Sequence, residues 1–190
     1  MNGEKKEDLR VVKTKEIIKN TFKDMISEMD YEEITIKELS NRAKINRKTF
    51  YLHYKSLDDL LLELQNSIAD NFIEKQVSYT KLEDMKYLIR LFFESASKNI
   101  PVYEKILCSG SYRNISDQIN KKIMTHRKKT NKGAFSDDEA YENIIFAYYG
   151  ANSTVIYRQW VADGKKLSLD EVTDLAVNLV SYGLSSVMKK

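Results

Sequence analysis

Five segments of this chain open with a hydroxyl three places ahead of an acid: Thr35–Glu38, Ser56–Asp59, Thr80–Glu83, Ser136–Glu139 and Ser168–Glu171. Each stands before a run whose apolar residues recur every three to four positions. In such a box the hydroxyl accepts a hydrogen bond from a backbone N–H that the first turn of a helix leaves open, and the acid reaches back to the cap. One box is weak; five in series mark five helix starts. Only one proline and six glycines occur in 190 residues, so long helices meet few breaks. The expected fold class is all-α, with about nine helices.

Periodicity places those helices along the chain. The first covers Leu9 to Met29, with Ile18, Phe22, Met25, Ile26 and Met29 on one face. After a turn at residues 30–33, a second runs from Ile36 to Ala43. Lys44, Ile45 and Asn46 form a tight turn, and Asn46 caps a third helix over Arg47 to Tyr54. Ser56 opens a long fourth helix with Leu57, Leu60, Leu61, Leu64 and Ile68 in one stripe. Beyond it come a helix over Leu82 to Lys98, a short one entered at Pro101, and a polar, basic one over Tyr112 to Lys129. The polar stretch THRKKTNKGAFS reads as a loop. Two long helices follow, Asp137 to Ala162 and Leu169 to Met188, parted by Asp163-Gly164 as a C-cap. The domain expectation is a three-helix module over 1–56, joined through the long fourth helix, without a Gly/Ser linker, to a helical domain over 57–190.

Composition narrows the function classes. No apolar run approaches the roughly 18 residues of a membrane span, and MNGEKKEDLR has no apolar signal core. A single cysteine, Cys108, makes no internal disulfide. The expected setting is cytoplasmic, with no membrane partner. Two histidines, His53 and His126, lie far apart; no metal-ligand cluster, phosphate-cradling glycine loop or nucleophile elbow occurs. The sequence therefore names no catalytic residue, no metal ligand and no cofactor.

Net charge is only +3, but from Lys37 to Lys55 six basic residues face one acid. A basic patch on a helical unit is the footprint of phosphate binding. Residues 35–55, TIKELSNRAKINRKTFYLHYK, read as two short helices crossing at a tight turn. Ile36, Leu39, Ser40, Ala43, Ile45 and Phe50 supply the small or apolar contacts of that crossing. The outer face is left to polar and basic groups, as in a helix laid in the major groove. The candidate DNA-binding residues are Thr35, Lys37, Asn46, Arg47, Lys48, Thr49, Tyr51, His53 and Lys55. Those near the start of the third helix are placed for base edges; Tyr51, His53 and Lys55 are placed for phosphates. The capped start of the second helix also offers free N–H groups to a phosphate. Tyr54 is assigned to the core.

The segments TKEIIKNTFKDMI and YEEITIKELSNRAKINRKTFYLHYKSLDDLL resemble the TetR family of bacterial transcription regulators over roughly residues 14–64. Three positions depart from that pattern: Lys44 stands where the family usually has glycine, Leu57 where it often has a phosphate-touching lysine, and Asp30 where glycine is common. The resemblance implies a DNA-binding regulator that binds a near-palindromic double-stranded operator as a homodimer. It implies a repressor released by an effector in the C-terminal domain. Some members activate instead, and some answer to a protein partner, so an activator or a helical protein–protein adaptor is the alternative. For a small-molecule effector the candidates are Phe92, Tyr103, Tyr112, Tyr148 and Trp160. For the dimer interface they are Ala147, Gly150, Ala151, Thr154, Val172, Ala176, Leu179 and Gly183, small or apolar residues striped along the last two helices.

Overall fold

A computed structural model describes residues 9–75, 82–98 and 101–185. Among the described residues the regular structure is helical throughout: α1 Leu9–Glu28, α2 Ile36–Arg42, α3 Arg47–Tyr51, α4 Leu57–Ile73, α5 Leu82–Lys98, α6 Val102–Cys108, α7 Arg113–Thr130, α8 Glu139–Ala162 and α9 Leu169–Ser185. Single 3₁₀ turns sit at Tyr31–Glu33 and Gly110–Tyr112. The chain parts into two compact units, residues 1–66 and 67–190, so α4 begins in the first and ends in the second.

The helix starts follow the caps. The Glu38 N–H donates to Thr35 Oγ1 at 3.2 Å ahead of α2. Ahead of α4 the Asp59 N–H donates to Ser56 Oγ at 3.1 Å, while the Asp59 carboxylate accepts from the Lys55 N–H at 3.0 Å. At α9 the box is complete: the Glu171 N–H donates to Ser168 Oγ and the Glu171 carboxylate accepts from the Ser168 N–H at 2.8 Å. Those bonds from Ser168 hold the Glu171 carboxyl below its ordinary value. Thr80 lies outside the described residues. The Ser136 box is corrected. Helix α8 starts at Glu139, so Asp138 is its N-cap and accepts from the Ala140 N–H at 2.8 Å. Ser136 instead accepts from the Asp138 N–H at 3.0 Å, bracing the loop.

Two boundaries also move. Helix α3 ends at Tyr51 rather than Tyr54, and the chain rounds off through a Tyr54 N–H bond to the Phe50 carbonyl at 3.0 Å. Helix α7 runs to Thr130, close to the expected end at Lys129, so the polar loop begins at residue 131 and not at 125. In the α2–α3 turn Lys44 is left-handed, with φ 53°.

The first unit packs Ile18, Phe22, Met25 and Ile26 of α1 with Leu39, Phe50, Tyr54 and Leu60 as buried side chains. The core of the second joins Met85, Leu88, Ile89 and Phe93 of α5, Phe146, Tyr149 and Tyr157 of α8, and Val172, Ala176 and Val180 of α9. An Arg90–Asp174 ion pair at 2.6 Å ties α5 to α9, and the Tyr149 hydroxyl donates to the Met85 carbonyl at 3.3 Å.

Candidate functional site

Helix α3 is held from its inner side. Phe50 is fully buried, with its ring 5.6 Å edge-on from Tyr51 and 5.7 Å from Tyr54. Burial and the nearby Glu63 push the Tyr54 phenol up, so it stays neutral in the core. Asn46 sets the start of the helix: its side chain accepts from the Lys48 N–H at 2.9 Å. With Phe50 anchored, the helical period turns Lys48 to the opposite side, and Arg47 in the first turn and Tyr51 are exposed beside it. Tyr51 is 56% exposed and Leu52 81%. Thr35, Lys37, Asn46 and Lys55 are exposed, and Thr49 and His53 are half-buried.

The charges on this unit sort into two groups. Arg42 is committed: its guanidinium donates to Glu38 at 3.0 Å and also pairs with Glu28. Among the described residues no ion pair engages Lys37, Arg47, Lys48 or Lys55. Four uncommitted cations thus share a short stretch with an exposed tyrosine and an exposed leucine. That combination fits phosphate contact around a short reading helix, with apolar surface for a thymine methyl. Leu52 belongs to the outer face that the sequence predicts for the third helix, two positions beyond the buried Phe50.

A second site lies wholly within the second unit. Helices α4, α5, α6, α7 and α8 surround about 740 Å³ of atom-free space, counting its open mouth. Its walls are mostly apolar, with Ser95, Asn120, Ser153 and Thr154 as polar points. Phe92 and Tyr103 line it, as the sequence reading named. Burial pushes the Tyr103 phenol up, so its hydroxyl is a neutral donor or acceptor there. Tyr112, Tyr148 and Trp160 are corrected. Tyr112 is fully buried outside the lining. Tyr148 lies on the outer face of α8. Trp160 stacks edge-on against Tyr157 at 5.6 Å, and its indole N–H donates to the Leu167 carbonyl at 2.8 Å, closing the α8–α9 turn.

The sequence reading missed Arg127, the one charged residue among the described lining residues. It is 4% exposed, and its guanidinium lies 5.0 Å from the Tyr149 ring centroid and 5.6 Å from that of Phe72. A signal was present. Ile115, Ile119 and Ile123 form an i, i+4 stripe, and Arg127 is its next member.

The expected dimer residues divide. Val172 and Ala176 are buried in the unit's own core, and Thr154 and Gly150 face the cavity. A Cβ on Gly150 would come 2.8 Å from Met124 Sδ, so that glycine serves the approach of α7 to α8. Ala147, Ala151, Leu179 and Gly183 are exposed. Around them stand Ile144 (70% exposed), Tyr148, Val155, Leu175 and Tyr182 (77%). Apolar residues run all around α8, so one face meets its own core and the opposite face is left bare. Small-residue spacing alone does not distinguish a helix that meets its own chain from one that meets a partner.

Residues 23–64 match the profile of the tetR family of bacterial regulatory proteins. The chain is 41% identical over 69 residues to the uncharacterized HTH-type transcriptional regulator YxbF of Bacillus subtilis; that match takes in 35% of this chain and only 18% of the relative. It is 25% identical over 177 residues, 88% of each chain, to DhaS of Lactococcus lactis, an HTH-type transcriptional activator of the dhaKLM operon. The fold matches that of a TetR transcriptional regulator from Streptococcus agalactiae with a TM-score of 0.71, at 19% identity over 92% of this chain and 97% of the other.

Proposed function

The chain belongs to the TetR family of bacterial regulatory proteins, and from that premise we propose that it acts in the cytoplasm as a homodimeric repressor of transcription. In this reading the helix-turn-helix within residues 1–56 binds DNA, and the later part of 57–190, whose compact unit starts at residue 67, binds the effector and pairs the two protomers. The observation that carries the reading is the outer side of α3. Arg47 and Lys48 stand there, with no ion pair to them among the described residues, beside exposed Tyr51 and Leu52, and Phe50 anchors the helix from behind. Thr35, Lys37, Asn46, Thr49, His53 and Lys55 flank it. Phosphate contacts from such groups set register, and base edges set sequence.

The bare apolar face on α8 and α9 supports the dimer. In a twofold interface the same patch meets itself, so Ile144, Val155, Leu179 and Tyr182 of one protomer cover those of its partner. Two paired hairpins then form a four-helix bundle. The effector is a small molecule in the cavity of the second unit, whose apolar walls and few polar points have the usual form of such a site. A second reading, activation, is favoured by one observation: the relative that aligns along 88% of both chains is an activator. Mobility shift with the DNA upstream of the chain's own gene, across a salt series, tests the regulator reading. Specific, salt-sensitive retardation is expected; retardation indifferent to sequence contradicts it. A reporter fused to that DNA reads the sign of regulation.

A further inference from the structure

Resting on the reading of the second unit as the effector domain, we propose that its ligand is an amphipathic anion, an apolar molecule carrying one carboxylate, with Arg127 as its anchor. The cavity wall supplies two chemistries. Ile68, Phe72, Leu88 and Ile119 offer apolar surface that a hydrocarbon body covers. Among the described lining residues Arg127 is the sole formal charge, and it is positive. A charged side chain rarely occupies the next step of an isoleucine stripe inside a core. Here two aromatic faces hold it, Tyr149 from α8 and Phe72 from α4, which fixes the guanidinium plane against a rigid seat. A guanidinium fixed in that way presents a planar fork of donors suited to a carboxylate.

The surrounding groups agree in sign. Arg158 stands behind the wall, its guanidinium donating to the Leu107 carbonyl and to Ser116 Oγ, and both of those residues line the cavity. The buried acid Glu142 lies outside the lining and accepts from the Phe135 N–H at 3.4 Å. Tyr103 is held neutral by burial. Asn120, Ser153 and Thr154 add uncharged hydrogen-bonding points. A neutral hydrocarbon gains nothing from a cation in this wall, and a cationic amphiphile is repelled by it.

The test compares decanoate with 1-decanol by calorimetry on the full chain at about pH 7.5, where the acid is ionised. Decanoate is expected to bind about tenfold or more tightly than the alcohol, as a charge-assisted hydrogen bond provides. In Arg127→Gln the preference falls to within about twofold while the alcohol still binds, which shows the cavity intact. Ser153→Leu, which fills part of the space and leaves the cation in place, is expected to lose both probes; it serves also if Arg127→Gln does not fold. Equal binding of acid and alcohol, binding of neither, acid preference retained in Arg127→Gln, or decanoate binding unchanged in Ser153→Leu each overturns the proposal. The mobility shift separates this from the regulator reading. Specific DNA retardation without acid preference sinks only the ligand class, whereas acid preference without DNA binding sinks only the regulator.

Discussion

The two units of this chain encode their surfaces at different ranges. In the first, what sets the outer side of α3 lies within sixteen residues: the Thr35 cap, the turn at Lys44, the Asn46 cap and the Phe50 anchor. In the second, the walls of the cavity come from α4 through α8, and tertiary bonds join residues as distant as Met85 and Tyr149 in the core, or Arg90 and Asp174 on the surface. A surface that meets a regular polymer is built from local geometry and charge. A cavity is whatever distant packing leaves unfilled, and no local pattern spells that out.

The sharpest way to break this comparison is to empty the core of one unit at a time. Phe50→Ala and Phe93→Ala each remove a fully buried ring and are expected to cost about 3–5 kcal/mol. Hydrogen exchange is the measurement. Phe50→Ala is expected to raise exchange in α2 and α3 and abolish DNA retardation, with α5 and α9 still protected. Phe93→Ala is expected to do the reverse in exchange. If either variant deprotects both units equally, the separation of the chain into two packing units is wrong.

How much was legible follows the same divide. Helix starts marked by Thr35, Ser56 and Ser168 were readable because a cap is a contact over three residues. Ser136 misled, since Asp138 offers a competing carboxylate two places on. Phe92 and Tyr103 were named as cavity residues, but so were Tyr112, Tyr148 and Trp160, because an aromatic looks the same whether it fills a core, faces solvent or bounds a void. Arg127 was overlooked for the converse reason: a basic residue beside a basic loop reads as solvated.

Next in size is the bare face of the second unit. Leu179→Asp puts two like charges into one twofold interface and is expected to shift the chain from dimer to monomer at micromolar concentration, a loss of about 2–4 kcal/mol. Sedimentation velocity reads it, and an unchanged dimer mass rejects this face as the interface. Smaller and more graded effects belong to α3. Arg47→Ala is expected to lose about 1–3 kcal/mol of discrimination at a single base pair. Lys48→Ala is expected to weaken all sequences alike and reduce the salt slope by about 0.9. Titrations at several salt concentrations separate the two. If both variants keep full affinity, DNA docks on another face.

The smallest effect gives the cleanest contrast, since both units end a helix in the same way. After α2 the Lys44 N–H donates to the Asn41 carbonyl at 3.1 Å and the Ile45 N–H to Ser40 at 3.0 Å. After α8 the Gly164 N–H donates to Val161 at 3.0 Å and the Lys165 N–H to Trp160 at 2.9 Å. Both are the paired bonds of a Schellman stop, which needs a left-handed residue at its first position. Gly164 meets that need with φ 74°; Lys44 takes φ 53° with a side chain attached. A side chain there costs about 1–2 kcal/mol, partly offset by the lower chain entropy that glycine would forfeit. Lys44 is exposed, and no ion pair holds it among the described residues, so little packing is lost with it. A Cβ at Gly164 meets nothing within 4 Å, so a substitution there reports the backbone alone. Lys44→Gly is therefore expected to stabilise the first unit by about 1 kcal/mol, and Gly164→Ala to destabilise the second by about as much. Urea denaturation of the two variants reads both signs. If Lys44→Gly lowers the midpoint, that lysine holds its turn through a contact other than backbone geometry, and the first unit is less locally encoded than its caps suggest.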